Sequence, residues 1–230
     1  FIFRFLPIAI GLYFITPKKY RNFTLLILSL IFYSWGEVKY LWIMIASIFV
    51  DYFISRGIER FRERKKIKVT LLCISMTFNL GMLFFFKYFN FFIENLNSIF
   101  KLSLNYVSIT LPLGISFYTF QTMSYTIDVF QGKVKAERNI INFGAFVSLF
   151  PQLIAGPIVK YSDISKEIKE RKVDINQIEE GVKQFILGLS RKVLIANNIG
   201  MLWTEVESIG FSNVSTILAW LGVIAFAFQI

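Results

Sequence analysis

The most prominent pattern along the chain is a series of long apolar blocks separated by short polar or basic segments. A membrane-spanning helix needs about 20 apolar residues, because the hydrocarbon core is about 30 Å thick. Blocks that approach this length are residues 1–15, 22–35, 40–55, 69–93, 106–127 and 214–230. The pattern therefore predicts an all-α membrane protein, in which residues 1–230 form one domain of several transmembrane helices.

Two further apolar stretches do not fit a plain spanning helix. The first, residues 140–159, is interrupted by Gly144, Pro151, Gly156 and Pro157. A full crossing would place the basic stretch 160–176 outside the cell, so the charge bias favours a broken, re-entrant segment. The second, residues 178–199, contains Lys183, Arg191 and Lys192, and is either an interfacial helix or a span that faces a cavity. Residues 164–171 carry mixed charges at helical spacing and predict a cytosolic surface helix.

Basic residues indicate how the chain is oriented. Residues 56–68 carry seven Lys or Arg residues against Glu59 and Glu63. Basic loops stay in the cytoplasm, so we place this segment there. If the blocks at 22–35 and 40–55 both span, the basic loop 16–21 lies on the same side. The net charge of +10 fits this interpretation, and the sequence contains no motif that predicts binding to nucleic acid.

Composition supports the membrane assignment and limits the chemistry. The chain is 55% hydrophobic and 17% charged, whereas soluble domains carry about 25% charged residues. It has no histidine and a single cysteine, Cys73. These residues therefore hold no Ser-His-Asp triad, no histidine metal site and no internal disulfide, and we predict no metal site. Because the sequence begins at Phe1 and stops within an apolar run at Ile230, we expect a fragment of a longer protein, cut at both ends.

Two segments contain polar residues where lipid would disfavour them. Residues 111–125 read LPLGISFYTFQTMSY inside a predicted span, and Gln121, Ser124 and Tyr125 share one helical face. That face forms hydrogen bonds between helices or lines a substrate path; both interpretations stay open. Residues 150–157 read FPQLIAGP, in which Gln152, Gly156 and Pro157 are either part of a site built on a broken helix or a simple helix end.

Asp51 is an acidic residue at the edge of an apolar block. Arg56 follows it by five positions, about a turn and a half of helix. An ionised side chain near lipid requires a partner. We therefore expect Asp51 and Arg56 to form an ion pair at the membrane interface.

At these two segments the sequence resembles a known family. The stretch from Leu111 to Tyr125 resembles the LPLGISFYTFQ…SY…D signature of the membrane-bound O-acyltransferases, and 150–161 resembles their FPQLIAGPI…Y segment. The resemblance is to the branch of bacterial alginate O-acetyltransferases and the D-alanyl-lipoteichoic acid transferase. Further similarity at 50–52, 85–92 and 181–199 extends it over nearly the whole chain.

The resemblance implies a ring of tilted helices around a funnel in the bacterial plasma (inner) membrane. The lipid bilayer is therefore an expected partner of the chain. The enzyme would move an acyl group, often acetyl, from a cytoplasmic thioester such as acetyl-CoA or an acyl carrier protein. The acceptor would be a hydroxyl of a cell-envelope polysaccharide, with a secreted or periplasmic acetyltransferase as partner. No covalently bound cofactor is implied.

The family's key residue is a histidine, and this chain contains none. We expect it in a segment after Ile230, so no catalytic residue is assigned here, and the chain by itself is expected to be inactive. What the resemblance assigns to these residues is a lining role, for Gln121, Ser124, Tyr125, Gln152, Gly156 and Pro157. A transporter or channel, or a non-catalytic scaffold subunit, is the alternative; a transporter would favour an inverted repeat, which the sequence does not display.

Overall fold

The structure is a computed structural model, and it describes residues 1–153, 159–171, 174–210 and 214–230. The described residues divide into two compact units, Phe1–Arg171 and Lys172–Ile230. The helices of the first unit are α1 (Phe5–Ile15), α2 (Arg21–Glu37), α3 (Leu41–Arg60), α4 (Lys65–Leu83), α5 (Phe89–Phe100), α6 (Ile115–Gln131), α7 (Ile140–Ser148) and α8 (Tyr161–Lys169). Those of the second unit are α9 (Ile175–Ser190), α10 (Asn197–Ile209) and α11 (Thr216–Gln229).

Three continuous helical stretches are long and apolar enough to cross a membrane: Lys18–Arg60, Lys65–Phe100 and Ile175–Ile209. The predicted all-α membrane fold is therefore confirmed. Helix α4 runs through the π-helical turn Phe84–Tyr88 into α5, a stretch of 36 residues. At 1.5 Å per residue it measures about 54 Å, more than the thickness of the hydrocarbon core.

The core of the first unit lies around α3, which packs against α4, α6 and α7. Its buried side chains recur every three or four residues, the spacing that places them on one face of a helix. They are Met44, Ser47, Ile48, Asp51, Tyr52, Ser55 and Ile58. Three of these seven are polar or acidic, and Tyr52 adds a hydroxyl group, so the centre of the bundle combines apolar packing with hydrogen bonding.

Several predicted boundaries are wrong. The predicted span 106–127 becomes helical only at Ile115, after Pro112 and Gly114, whereas helix continues beyond the predicted span 69–93 as far as Phe100. Gly114 explains the late start of α6. Its φ is +70°, and a Cβ atom there would lie 2.5 Å from the carbonyl oxygen of Leu153. The chain can make this turn against Leu153 only with glycine.

The segment 140–159 is broken, as its glycines and prolines predict. Helix α7 has nine residues and is therefore about 13 Å long, less than half the thickness of the hydrocarbon core. A turn follows at Leu149–Gln152, closed by a 3.1 Å hydrogen bond between their backbone atoms. Because residues 154–158 lie outside the described residues, the return of the chain to the cytoplasm stays a prediction.

The second unit is built on close contact between α10 and α11. A Cβ atom at Gly222 would lie 2.9 Å from Val206, and one at Gly200 would lie 2.8 Å from Gln229. Glycine lets two membrane helices approach closely. The resulting van der Waals packing drives their association, because lipid removes the hydrophobic driving force between helices. The helix predicted at 178–199, as an interfacial helix or a span, is longer than expected, since helix runs from Ile175 to Ile209.

Candidate functional site

Gln121 and Gln152 converge on one backbone carbonyl. The side-chain amide of Gln121 donates to the carbonyl oxygen of Phe146 at 3.1 Å, and that of Gln152 donates to the same oxygen at 2.8 Å. Phe146 belongs to α7, two residues from the end of the helix. The last carbonyls of a helix have no partner within it. The two amides therefore hold the broken end of α7 against α6.

Tyr125 lies one turn further along α6 and joins a different cluster. Its hydroxyl accepts a hydrogen bond from the backbone N–H of Glu137 at 2.7 Å. The hydroxyl of Ser55, on α3, lies 3.4 Å from it. The ring of Tyr125 packs against Phe143 and Tyr161. The side chain thus ties two helices to the loop between α6 and α7.

Glu137 is a buried carboxylate at the centre of this second cluster. One of its oxygens accepts from the backbone N–H groups of Arg138 and Asn139, each at 2.9 Å. The other accepts a short hydrogen bond from the Tyr161 hydroxyl and lies 3.2 Å from the Lys169 ammonium. Helix α8 is thereby attached to the α6–α7 loop by both of its ends.

These contacts determine the charge of Glu137. Burial by itself raises the pKa of the carboxyl, but hydrogen bonds from Tyr161 and Asn139, together with the Lys169 charge, outweigh burial, so the pKa lies below its ordinary value. For Tyr161, burial and the adjacent carboxylate both raise the pKa of the phenol. Glu137 is therefore ionised and Tyr161 is a hydrogen-bond donor at neutral pH.

A third polar cluster surrounds Asp51, within the helix bundle. The carboxylate is fully buried; the Ser75 hydroxyl donates to it at 2.5 Å, and the Asn79 amide lies 2.9 and 3.1 Å from its two oxygens. The expected ion pair with Arg56 is wrong. The guanidinium of Arg56 instead donates to the Tyr52 hydroxyl at 3.2 Å. Asp51 lies on the buried face of α3 and contacts residues of α4. Arg56 is five residues further along the helix and therefore lies on a different face.

The remaining predicted residues are placed as follows. Ser124 is half-buried on α6 and, among the hydrogen bonds between described residues, takes part in neither the Gln121 pair nor the Tyr125 cluster. Gly156 and Pro157 lie outside the described residues. The lining role of all six residues stays a prediction.

Sequence reasoning gave no role to Glu137, Ser75, Asn79 or Tyr161, although Tyr161 is the tyrosine of the FPQLIAGPI…Y segment. Glu137 lies in a loop with the basic residues Lys133, Lys135 and Arg138. A single acidic residue in a basic loop does not by itself indicate a buried site. A weak signal did exist for Asn79, because an amide within a long apolar block is as costly to expose to lipid as Gln121.

The described residues offer hydrogen-bond donors and an ionised carboxylate, but no group of three or more metal-ligating side chains was found among them. Such an arrangement can position a polar substrate and orient a neighbouring base. Glu137, whose pKa lies below its ordinary value, is not suited to act as a general base near neutral pH.

The sequence has relatives that match it along its whole length. It is 36% identical over 234 residues to the "Probable alginate O-acetylase AlgI" of Pseudomonas syringae and 36% identical over 238 residues to the protein of that name in Pseudomonas aeruginosa, covering 45% of each. It is 31% identical over 265 residues to the "Peptidoglycan O-acetyltransferase" of Helicobacter pylori, covering 49% of it. The chain thus spans about half the length of these curated relatives. No family model and no solved structure matches it.

Proposed function

We propose that this chain is part of an enzyme that acylates a polysaccharide. The chain is homologous throughout its length to alginate O-acetylases of the membrane-bound O-acyltransferase family. The observation that carries the proposal is 36% identity, along all of the chain, to proteins named as O-acetylases. These relatives confirm the family resemblance inferred from the two central motifs.

The reaction we propose moves an acetyl group from a cytoplasmic thioester to a hydroxyl of an exported cell-envelope polysaccharide. The thioester would be acetyl-CoA or an acyl carrier protein, and a secreted acetyltransferase would act as partner. Donor and acceptor are on opposite sides of the plasma membrane of a bacterium, with residues 56–68 in the cytoplasm. Because water would hydrolyse the thioester, the two must meet in a path that excludes water.

The described residues would hold and shape that path. Gln121 and Gln152 fix the broken end of α7, and Tyr125 with Glu137 fixes the loop that precedes it. A broken helix at membrane depth exposes backbone groups that can meet a polar ligand. Removal of the sugar hydroxyl's proton would require a general base beyond these residues, and the family resemblance implies a histidine.

A cellular acetylation assay tests the proposal. In the full-length protein, Gln121→Met removes the amide that binds the Phe146 carbonyl while keeping the length of the side chain. We expect alkali-released acetate on the cell's polysaccharide to fall at least several-fold, because a misplaced α7 costs catalytic positioning. The matched control is Gln131→Met, at the exposed end of the same helix, which should acetylate normally.

Membrane levels of both variants are measured by immunoblot, so that loss of protein is distinguished from loss of activity. Deletion of the gene is the decisive arm. If deletion leaves polysaccharide and peptidoglycan acetate unchanged, the proposed activity is wrong. If it abolishes export of the polymer without altering the acetate content of what remains, a transporter is favoured instead.

A further inference from the structure

A basic cavity of about 400 Å³ lies in the first unit, where α2, α7 and α8 begin or end. Five cationic side chains line it: Lys18, Lys19, Arg21, Lys169 and Arg171. The single acid in its lining is Glu170. None of the residues that line the cavity belongs to the Gln121 pair, whereas Lys169 and Asn139, which also lines it, both contact Glu137.

The cavity is built by specific hydrogen bonds rather than by loose surface side chains. The guanidinium of Arg171 donates to the Tyr13 hydroxyl at 3.1 Å and to the side-chain oxygen of Asn22 at 3.0 Å. Asn22 in turn donates to Asn142 at 2.9 Å and to the carbonyl of Ile168 at 2.8 Å. These contacts join residues up to 158 positions apart, and they hold Arg171 in one place.

The positive charge of the cavity is largely uncompensated. Among the described residues, Lys169 forms a salt bridge with Glu137, and no salt bridge is found for Lys18, Lys19, Arg21 or Arg171. The guanidinium of Arg21 lies 4.9 Å from the centre of the Tyr13 ring, which fixes its direction without neutralising it. Four neighbouring cations without an acidic partner favour a bound anion, and phosphate accepts several such donors at once.

An apolar groove of about 360 Å³ meets this cavity at Arg171, which lines both. Its other walls include Ile10 and Tyr13 of α1, Leu25 of α2, and Leu149 and Phe150 after α7. Almost no polar surface faces the groove, so a hydrocarbon chain fits it and a hydrated ligand does not. A charged recess and an apolar groove thus share one side chain.

We propose that this composite surface binds an anionic phospholipid, with its phosphate headgroup in the basic cavity and one acyl chain in the groove. Charge complementarity selects the headgroup, and the groove selects a ligand that carries a hydrocarbon tail. This inference does not rest on the proposed acyl transfer. It would anchor α1, α2 and α8 at the cytoplasmic face, where anionic headgroups attract basic residues.

Native mass spectrometry of the full-length protein in detergent tests the site with defined probes. We expect dioleoyl phosphatidylglycerol to bind at least tenfold more tightly than dioleoyl phosphatidylcholine. The double variant Lys18→Gln, Lys19→Gln should weaken phosphatidylglycerol binding about fivefold for each charge removed, the effect of roughly 1 kcal/mol per basic residue near an anionic lipid. Both lysines are exposed, so the fold is expected to survive.

The matched control is Lys65→Gln, Lys66→Gln, an exposed lysine pair at the start of α4 and remote in sequence from the cavity. It should bind phosphatidylglycerol like the wild type. An equal loss in both double variants would overturn the proposal, since only general surface charge would then be acting. Equally tight binding of glycerol 3-phosphate would also overturn it, because the cavity would then take a soluble phosphate without the groove.

Discussion

Two buried carboxyl groups in this chain have opposite surroundings. Asp51 is enclosed by neutral donors, the hydroxyl of Ser75 and the amide of Asn79. Glu137 has a cation, Lys169, and two backbone N–H groups. A buried carboxylate is stable only when hydrogen bonds and charge replace the water it has lost. The residue type of a buried carboxylate alone therefore predicts neither the partner of the carboxylate nor its role.

The role of Glu137 is testable through the pH dependence of stability. The pKa of Glu137 in the folded protein lies below its ordinary value of 4.5. The stabilisation by its charge is therefore complete above about pH 4.5 and is lost as the pH falls through the folded-state pKa. We expect Glu137→Gln to lower the free energy of unfolding by about 2 kcal/mol at pH 7, since hydrogen bonds to a charged group are removed.

Thermal unfolding of the purified protein between pH 7 and pH 3 measures the effect. The difference in Tm between wild type and Glu137→Gln should shrink as the pH falls below 4.5. Glu63→Gln, which changes an exposed glutamate between α3 and α4, is the control and should follow the wild type at every pH. A difference in Tm that stays constant over the whole range would contradict an ionised Glu137.

At the scale of single elements, the start of α6 is determined by the local backbone preferences of proline and glycine and not by the apolar pattern. Hydropathy extends the span from residue 106, but helix begins at Ile115. Proline at 112 disfavours a helix before it, and Gly114 adopts a left-handed conformation that places it against Leu153. The broken end of α7 and the beginning of α6 are therefore packed together at one glycine.

We expect Gly114→Ala to destabilise the protein by at least about 2 kcal/mol. A left-handed conformation costs a non-glycine residue roughly 1–2 kcal/mol, and the backbone oxygen of Leu153 leaves no room for Cβ. The matched variant is Gly81→Ala, where nothing lies within 4 Å of the added Cβ. That change in a helix interior should raise the Tm slightly. Equal Tm values for the two variants would show that the turn at Gly114 does not depend on glycine.

At the scale of the whole molecule, the distribution of basic residues predicts the topology. The turn between α3 and α4 lies within the basic segment 56–68, which we place in the cytoplasm. The segment that follows α5, from Lys101 onwards, would then be outside. The connecting stretch Lys65–Phe100 is long enough to cross the bilayer.

Cysteine labelling in intact cells tests this map. The native Cys73 is exposed, so it is first replaced by alanine. In that background, Ser103→Cys should react with a membrane-impermeant maleimide, whereas Arg64→Cys should react only after the cells are permeabilised. Both positions are exposed in the structure, so access to reagent depends on the side of the membrane. The reverse pattern of labelling would invert the topology.

The sequence by itself determined the fold class, the approximate place of the helices and the family resemblance. Each of these depends on patterns that are local in the chain: apolar blocks of membrane length, basic loops and short motifs. Gln121 and Tyr125 were found in this way, because polar residues within an apolar block are conspicuous.

Only the tertiary structure decided which polar groups meet. The contact of Gln121 with Phe146 spans 25 positions, that of Asp51 with Ser75 spans 24, and that of Arg171 with Asn22 spans 149. A hydrogen bond requires its two atoms to lie about 3 Å apart, and no local pattern specifies that distance for residues so far apart in sequence. The partners of Asp51 and Glu137, and the cavity around Arg171, therefore follow from how the helices pack.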